Sequence, residues 1–263
     1  MRITIVPLAA LLIPAAAYAN PPADDPPTLH VDPSLDECEV HFAPELTQSA
    51  YHRFAREFGS VSAFKQMGAP QVVGTKGVSF GIEYMAFRID ERADAWNDTF
   101  SHPTADHWLG SDKQFPKLKL RVGVGSNTDI GAYYTMNPMS NFGWIGVDVK
   151  HALLRQDEQK PVTVAVRGAY TKTLFVDDMD MHALTGDVSV GRTLRYQITP
   201  YVGVGADGVL ARETSSMVEL DTEYSLVGHA FAGFEVAYRS LRFGAEGQFS
   251  AVSSAQAQLA WVF

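Results

Sequence analysis

The sequence predicts an all-β chain that closes into an antiparallel transmembrane β-barrel of about ten strands, with twelve as the alternative count. Three observations carry this reading. Runs of alternating polarity occupy the chain from about residue 74 to residue 263, and most reach the roughly 9–11 residues a membrane strand requires. Within those runs charged residues share one parity and large apolar residues the other. The connections between runs alternate between long and short, as they do in barrels that cross a membrane.

The chain begins with a pattern typical of secretory signals. Met1-Arg2 is a short basic start, Ile3–Ile13 an apolar run interrupted by Pro7, and Ala17-Tyr18-Ala19 a small-x-small cleavage site, giving a signal peptide over 1–19. No later segment has the roughly 20 consecutive apolar residues of a spanning helix. Yet 46% of the residues are hydrophobic and 11% aromatic, so membrane crossing falls to strands; a periplasmic sandwich is the composition's second choice. Cys38 is the single cysteine, which excludes an intrachain disulfide and leaves an inert loop thiol. A net charge of −9 argues against nucleic acid, which selects a basic face.

Residues 20–73 read as a Pro-rich periplasmic segment. Asn20–Asp36 holds too many Pro and Asp to bury a core and is expected to be extended or disordered. A helix is expected at about 44–58. Pro44 suits a first turn, Glu45 the positive helix end, and Gly59 a stop. Leu46, Ala50, Phe54 and Phe58 recur every four residues as a narrow apolar stripe. The stripe rests either on the periplasmic rim, the favoured placement, or inside the lumen as a plug. The second layout resembles the fatty-acid transporter family, whose barrels carry an N-terminal plug.

Ten strands follow, at roughly 77–90, 115–124, 129–137, 141–154, 161–174, 179–194, 198–213, 225–238, 241–251 and 253–263. If the chain enters from the periplasm, the connections 91–114, 138–140, 175–178, 214–224 and 252 lie outside the cell. Those at 125–128, 155–160, 195–197 and 239–240 lie inside. The two longest are then external, and every periplasmic turn is short. Lipid-facing candidates include Phe80, Ile82, Leu118, Leu120, Val122, Val202, Val204 and Phe249. Tyr238, Phe243, Trp261 and Phe263 suit one aromatic girdle, Tyr134 and Tyr170 the other.

The opposite parity carries Glu83, Lys117, Lys119, Arg121, Asp148, Lys150, Arg167, Asp187, Asp207, Glu235, Arg242 and Glu246. In lipid such charges are costly near the midplane, so they are expected in the lumen. Acids and bases balance there, which favours a mutually neutralising network that fills the barrel over a selective eyelet. Ten strands are little wider than the eight whose interior side chains fill.

The last strand, Ser253–Phe263, places Ala255, Ala257, Leu259, Trp261 and Phe263 on one face and Gln256 and Gln258 on the other. It resembles the C-terminal strand of bacterial outer-membrane β-barrels, whose terminal Phe is read by the barrel assembly machinery. Trp261 and Phe263 are the matching assembly signal. Over about 74–263 the pattern resembles the OmpA-like and OmpW-like class of small barrels. That resemblance implies an outer-membrane protein of a Gram-negative bacterium in contact with lipid. It also implies a structural or surface-interaction role, or a narrow channel for small polar or amphipathic solutes. No cofactor is expected, and no enzymatic activity. His102, Asp106 and His107, beside Trp96 and Trp108, match no strong metal signature. The ten-stranded omptin proteases, the basis of a hydrolase alternative, share only the strand count.

Overall fold

In the computed structural model the described residues are 28–63, 67–137, 140–157 and 159–263; the expected signal peptide over 1–19 lies outside them. Ten strands form one closed antiparallel barrel: β3 (Val78–Arg88), β5 (Asp112–Gly123), β6 (Thr128–Met136), β7 (Gly143–Leu154), β8 (Thr163–Leu174), β9 (Met179–Gly191), β10 (Ile198–Glu213), β11 (Glu223–Tyr238), β12 (Leu241–Phe249) and β13 (Ser254–Val262). Neighbours in sequence pair around the ring. The seam closes where β13 meets β3, with Gln258 opposite Glu83 and Val262 opposite Ser79.

Side-chain parity sorts the wall as transfer energetics demand. On β5, Leu118 and Leu120 are 49% and 48% exposed while the adjacent Lys117 is 4% exposed. Phe80, Ile82, Val122, Ile130, Val147, Val202, Val204 and Phe249 continue the exposed apolar band. An exposed band of that extent around a closed ring, with charges inward, is the surface of a barrel solvated by lipid. Tyr238, Phe243, Trp261 and Phe263 are exposed at the end where β3 begins, and Tyr134 and Tyr170 are exposed towards the other. Among the described residues no helix is long and apolar enough to cross a membrane.

The two ends differ. At the end bearing Phe263 the strands are joined by 124–127, 155–162, 192–197 and 239–240; at the other by 89–111, 137–142, 175–178, 214–222 and 250–253. The connection at 89–111, expected at about 91–114 as an external connection, is itself folded. It contains the short helix α2 (Asp94–Asn97) and the strand β4 (Phe100–His102). That strand pairs with β1 (His30–Val31) on one side and β2 (Glu39–Val40) on the other. His30–Val31, within the segment expected to be extended or disordered, thus form one strand of an ordered three-stranded sheet.

Helix α1 spans Gln48–Ser62, one turn later than expected at each end. Thr47 caps it, its hydroxyl accepting the Ala50 N–H at 3.3 Å, while Pro44 and Glu45 form the preceding turn. Gly59 does not stop the helix. It lies against Val209 of β10, where any Cβ would collide with the Val209 methyls, so glycine here permits close approach.

Candidate functional site: the lumen

The lumen has two halves with different chemistry. Towards the long connections it is an apolar core built around α1. Leu46, Ala50, Phe54 and Phe58 are all buried. Phe54 stacks on Phe58 with centroids 5.0 Å apart. Phe58 meets Trp144 of β7 at 5.5 Å, Phe54 meets Trp96 of α2 at 5.2 Å, and Phe115 of β5 meets Trp144 at 5.0 Å. The Trp96 indole N–H is donated to Glu57 at 2.6 Å. At the helix C-terminus the Tyr133 hydroxyl of β6 donates to the Ser62 carbonyl at 2.9 Å, and the Ser62 hydroxyl lies 3.9 Å from Met181 of β9. Partners on β6, β7, β9 and β10 surround the helix, so it sits inside the wall and does not rest on a rim.

Its N-terminal end is held by the long connections. Gln48 donates to the Asp221 carbonyl at 3.2 Å and accepts from the Asp221 N–H at 2.8 Å; His52 pairs with Glu223 at 2.6 Å. The Phe42 N–H is donated to Asp178 at 2.7 Å, and the Val40 N–H to the Asn141 side chain at 2.8 Å. This segment was expected at the short-turn end, and its contacts put it at the opposite one.

The other half of the lumen holds the charges and an extended strap, residues 67–77. All twelve predicted charges point inward. Glu83 is fully buried between Lys117 at 3.5 Å and Lys119 at 2.7 Å. Arg121 reaches Asp148 at 2.8 Å. These two belong to different strands, β5 and β7, with Gly131 of β6 between them in register. A Cβ at Gly131 would occupy the position of the carboxylate, so glycine is what allows an ion pair to span the intervening strand. Arg167 Nε donates to Asp187 at 2.8 Å, and Arg242 lies 3.7 Å from Glu235.

The network departs from simple acid–base matching at three sites. Lys150 donates to the strap carbonyls of Gln71 at 2.6 Å and Ala69 at 3.4 Å. Asp207 accepts from the Thr185 hydroxyl at 2.7 Å and lies 3.1 Å from His229. Glu246 accepts from the Tyr201 hydroxyl at 2.9 Å, and that same hydroxyl accepts the Gly68 N–H at 3.1 Å. Sequence reasoning missed Tyr201, Asp129 and His229. Asp129 and His229 lie on the charged parity of their strands. Asp129 accepts the Val73 N–H at 2.9 Å. Between strap and wall remains a cavity of about 160 Å³, lined in part by Lys119, Arg121, Lys150, Glu235 and Arg242.

His102, Asp106 and His107 do not converge. His102 is buried with Nδ1 3.0 Å from Cys38 Sγ, Asp106 accepts from the Thr104 hydroxyl at 2.7 Å in an exposed turn, and His107 lies 3.8 Å from Glu37. Trp108 lies beneath the Arg92 guanidinium. Burial lowers the His102 imidazole pKa and pushes the Cys38 thiol up to about 11. Both groups are therefore neutral near pH 7, and the thiol also donates to the His107 carbonyl at 3.7 Å. Among the described residues no cluster of three or more metal-ligating side chains occurs.

A closed ring of ten strands with a lipid-facing apolar band and a charged interior defines the class: an outer-membrane β-barrel. No protein-family model and no curated protein matches the chain. Solved structures of small outer-membrane barrels do. The attachment invasion locus protein Ail of Yersinia pestis is 13% identical, covering 72% of this chain and 99% of its own, at a TM-score of 0.32. An outer membrane channel from Pseudomonas putida F1 is 9% identical over 76% and 100%, at 0.45. OprG from Pseudomonas aeruginosa is 8% identical over 73% and 99%, at 0.33.

Proposed function

We propose that this protein is a closed outer-membrane barrel with a structural or surface-interaction role, exported by the signal over 1–19 and inserted by the barrel assembly machinery through Trp261 and Phe263. One observation carries the reading: the chain fills its own lumen. Helix α1 and its aromatic shell occupy one half, and the strap with the ion-pair network occupies the other. Buried charges held by partners resist the passage of water and ions, because each must lose its partner before the lumen opens. The purified chain in a planar bilayer should show no discrete conductance steps. Replacing Phe54 and Phe58 together by Ala should loosen the helix and produce intermittent openings. Steady steps from the unaltered chain would overturn the closed-lumen reading. They would favour the second one, a narrow conduit for small polar or amphipathic solutes, for which the cation-rich cavity beside the strap is the natural station.

A further inference from the structure

We infer that the chain passes its own N-terminal segment outward through the barrel and holds residues 28–47 on the cell surface. The inference rests on the membrane reading above but not on the lumen being closed to solutes.

The path of the chain is fixed at both ends by contacts with opposite rims. Residues 40–48 bond to Asn141, Asp178, Asp221 and Glu223, all in or next to connections at the end that carries the long 89–111 and 214–222. The Ser60 hydroxyl accepts the Val252 N–H, again from a long-end connection, at 3.4 Å. Below the helix, Gly68 bonds to Tyr201, Gln71 to Thr193 in the turn at 192–197, and Val73 to Asp129 at the start of β6. Lys76 then bonds to the Gly123 carbonyl at 3.2 Å, where β5 ends, and β3 begins beside Phe263. Helix α1 stays in the half of the lumen beside the long connections, with Gly59 against Val209 and Ser60 bonded to Val252, and the extended residues after it span the remaining depth at up to about 3.3 Å per residue. The strap completes the crossing.

The wall offers no other route. The β13–β3 seam is paired from Ser254 to Val262, so the segment ahead of β3 cannot pass between strands. Sidedness follows from the connections, since outer-membrane barrels keep short turns in the periplasm and long loops outside. The surface segment is also built into that face: β1 and β2 flank β4, and the Asp32 N–H is donated to the His102 carbonyl at 2.9 Å. A chain that reaches the periplasm with its N-terminus leading must therefore move that end across the membrane before or while the seam closes.

Single-cysteine variants in a Cys38→Ser background test this in intact cells with a membrane-impermeant maleimide. Ser34→Cys reports on the segment, Ser216→Cys on a long connection and Gln159→Cys on a short turn; all three positions are exposed. The expected result is labelling of Ser34→Cys and Ser216→Cys on intact cells. Gln159→Cys should react only after the outer membrane is permeabilised. Labelling of Ser34→Cys only together with Gln159→Cys, while Ser216→Cys reacts outside, would overturn the threading and leave the membrane reading intact. Protection of both Ser34→Cys and Ser216→Cys would overturn the sidedness and the inference with it. An epitope inserted between Pro33 and Ser34 of the native chain gives the same readout by antibody binding if the Cys38→Ser background fails to assemble.

Discussion

At Gly131 a single hydrogen does what no side chain could. Arg121 and Asp148 are two strands apart, and their ion pair passes through the space a Cβ would fill. Gly131→Val should separate them, and each would be left buried without its partner at a combined cost of about 3–5 kcal/mol. Gly168→Val on β8, where nothing lies within 4 Å of the added carbon, should be nearly silent. Unfolding by urea in lipid vesicles measures both, and equal costs would show that bulk alone matters. The Cys38–His102 pair supplies a pH signature at the opposite end of the molecule. Burial lowers the imidazole pKa, so below about pH 6.5 the unfolded chain binds the proton first and the small sheet loses stability as pH falls. Burial raises the thiol pKa, so the unfolded chain ionises first above about pH 8.5, and stability falls again as pH climbs towards the folded value of about 11. Amide protection of 30–40 and 100–102, corrected for intrinsic exchange, should therefore peak near neutrality and decline on both sides. A flat profile would separate the pair from the stability of the sheet.

At the scale of the element, α1 shows what periodicity can and cannot say. The stripe of Leu46, Ala50, Phe54 and Phe58 is legible because a four-residue spacing is local. Its partners are not legible. Trp96, Phe115, Phe142 and Trp144 come from three stretches far away in sequence, and only closure of the wall brings them to one point. The buried Tyr51, Ser60 and Ser62 add burial beyond the stripe, a mark of a helix enclosed on several sides instead of resting on one surface. Phe58 touches Phe54, Trp96, Phe142 and Trp144, so Phe58→Ala should cost about 3–5 kcal/mol. Arg56→Ala, at an exposed helix position, should cost little. Thermal unfolding of the two variants in the same detergent decides it; similar losses would place the helix outside the core.

For the whole molecule, the barrel was readable from one strand at a time because each strand meets lipid on one face and the lumen on the other. Leu118 beside Lys117 is that rule in two residues. The strap was not readable. Met67–Val73 has no period, and it is held by Lys150, Tyr201 and Asp129, whose roles depend on the chain doubling back inside its own wall. The same exclusion of water from wall and lumen predicts heat-modifiable gel mobility. The unheated chain should run as a compact band and shift only on boiling, and recovery from the soluble periplasmic fraction would contradict the membrane assignment.

The anchoring of the strap also makes the molecule a mechanical element. A pull applied outward at residue 28 would first load the short β1–β4 pairing and then the contacts that hold α1 in the lumen. Behind the helix, tension would reach the bonds of Gln71 to Thr193, Val73 to Asp129 and Lys76 to Gly123 at the opposite rim. Those bonds reach several wall strands and would share the load among them, so a tug on one side of the membrane is borne by the turns on the other.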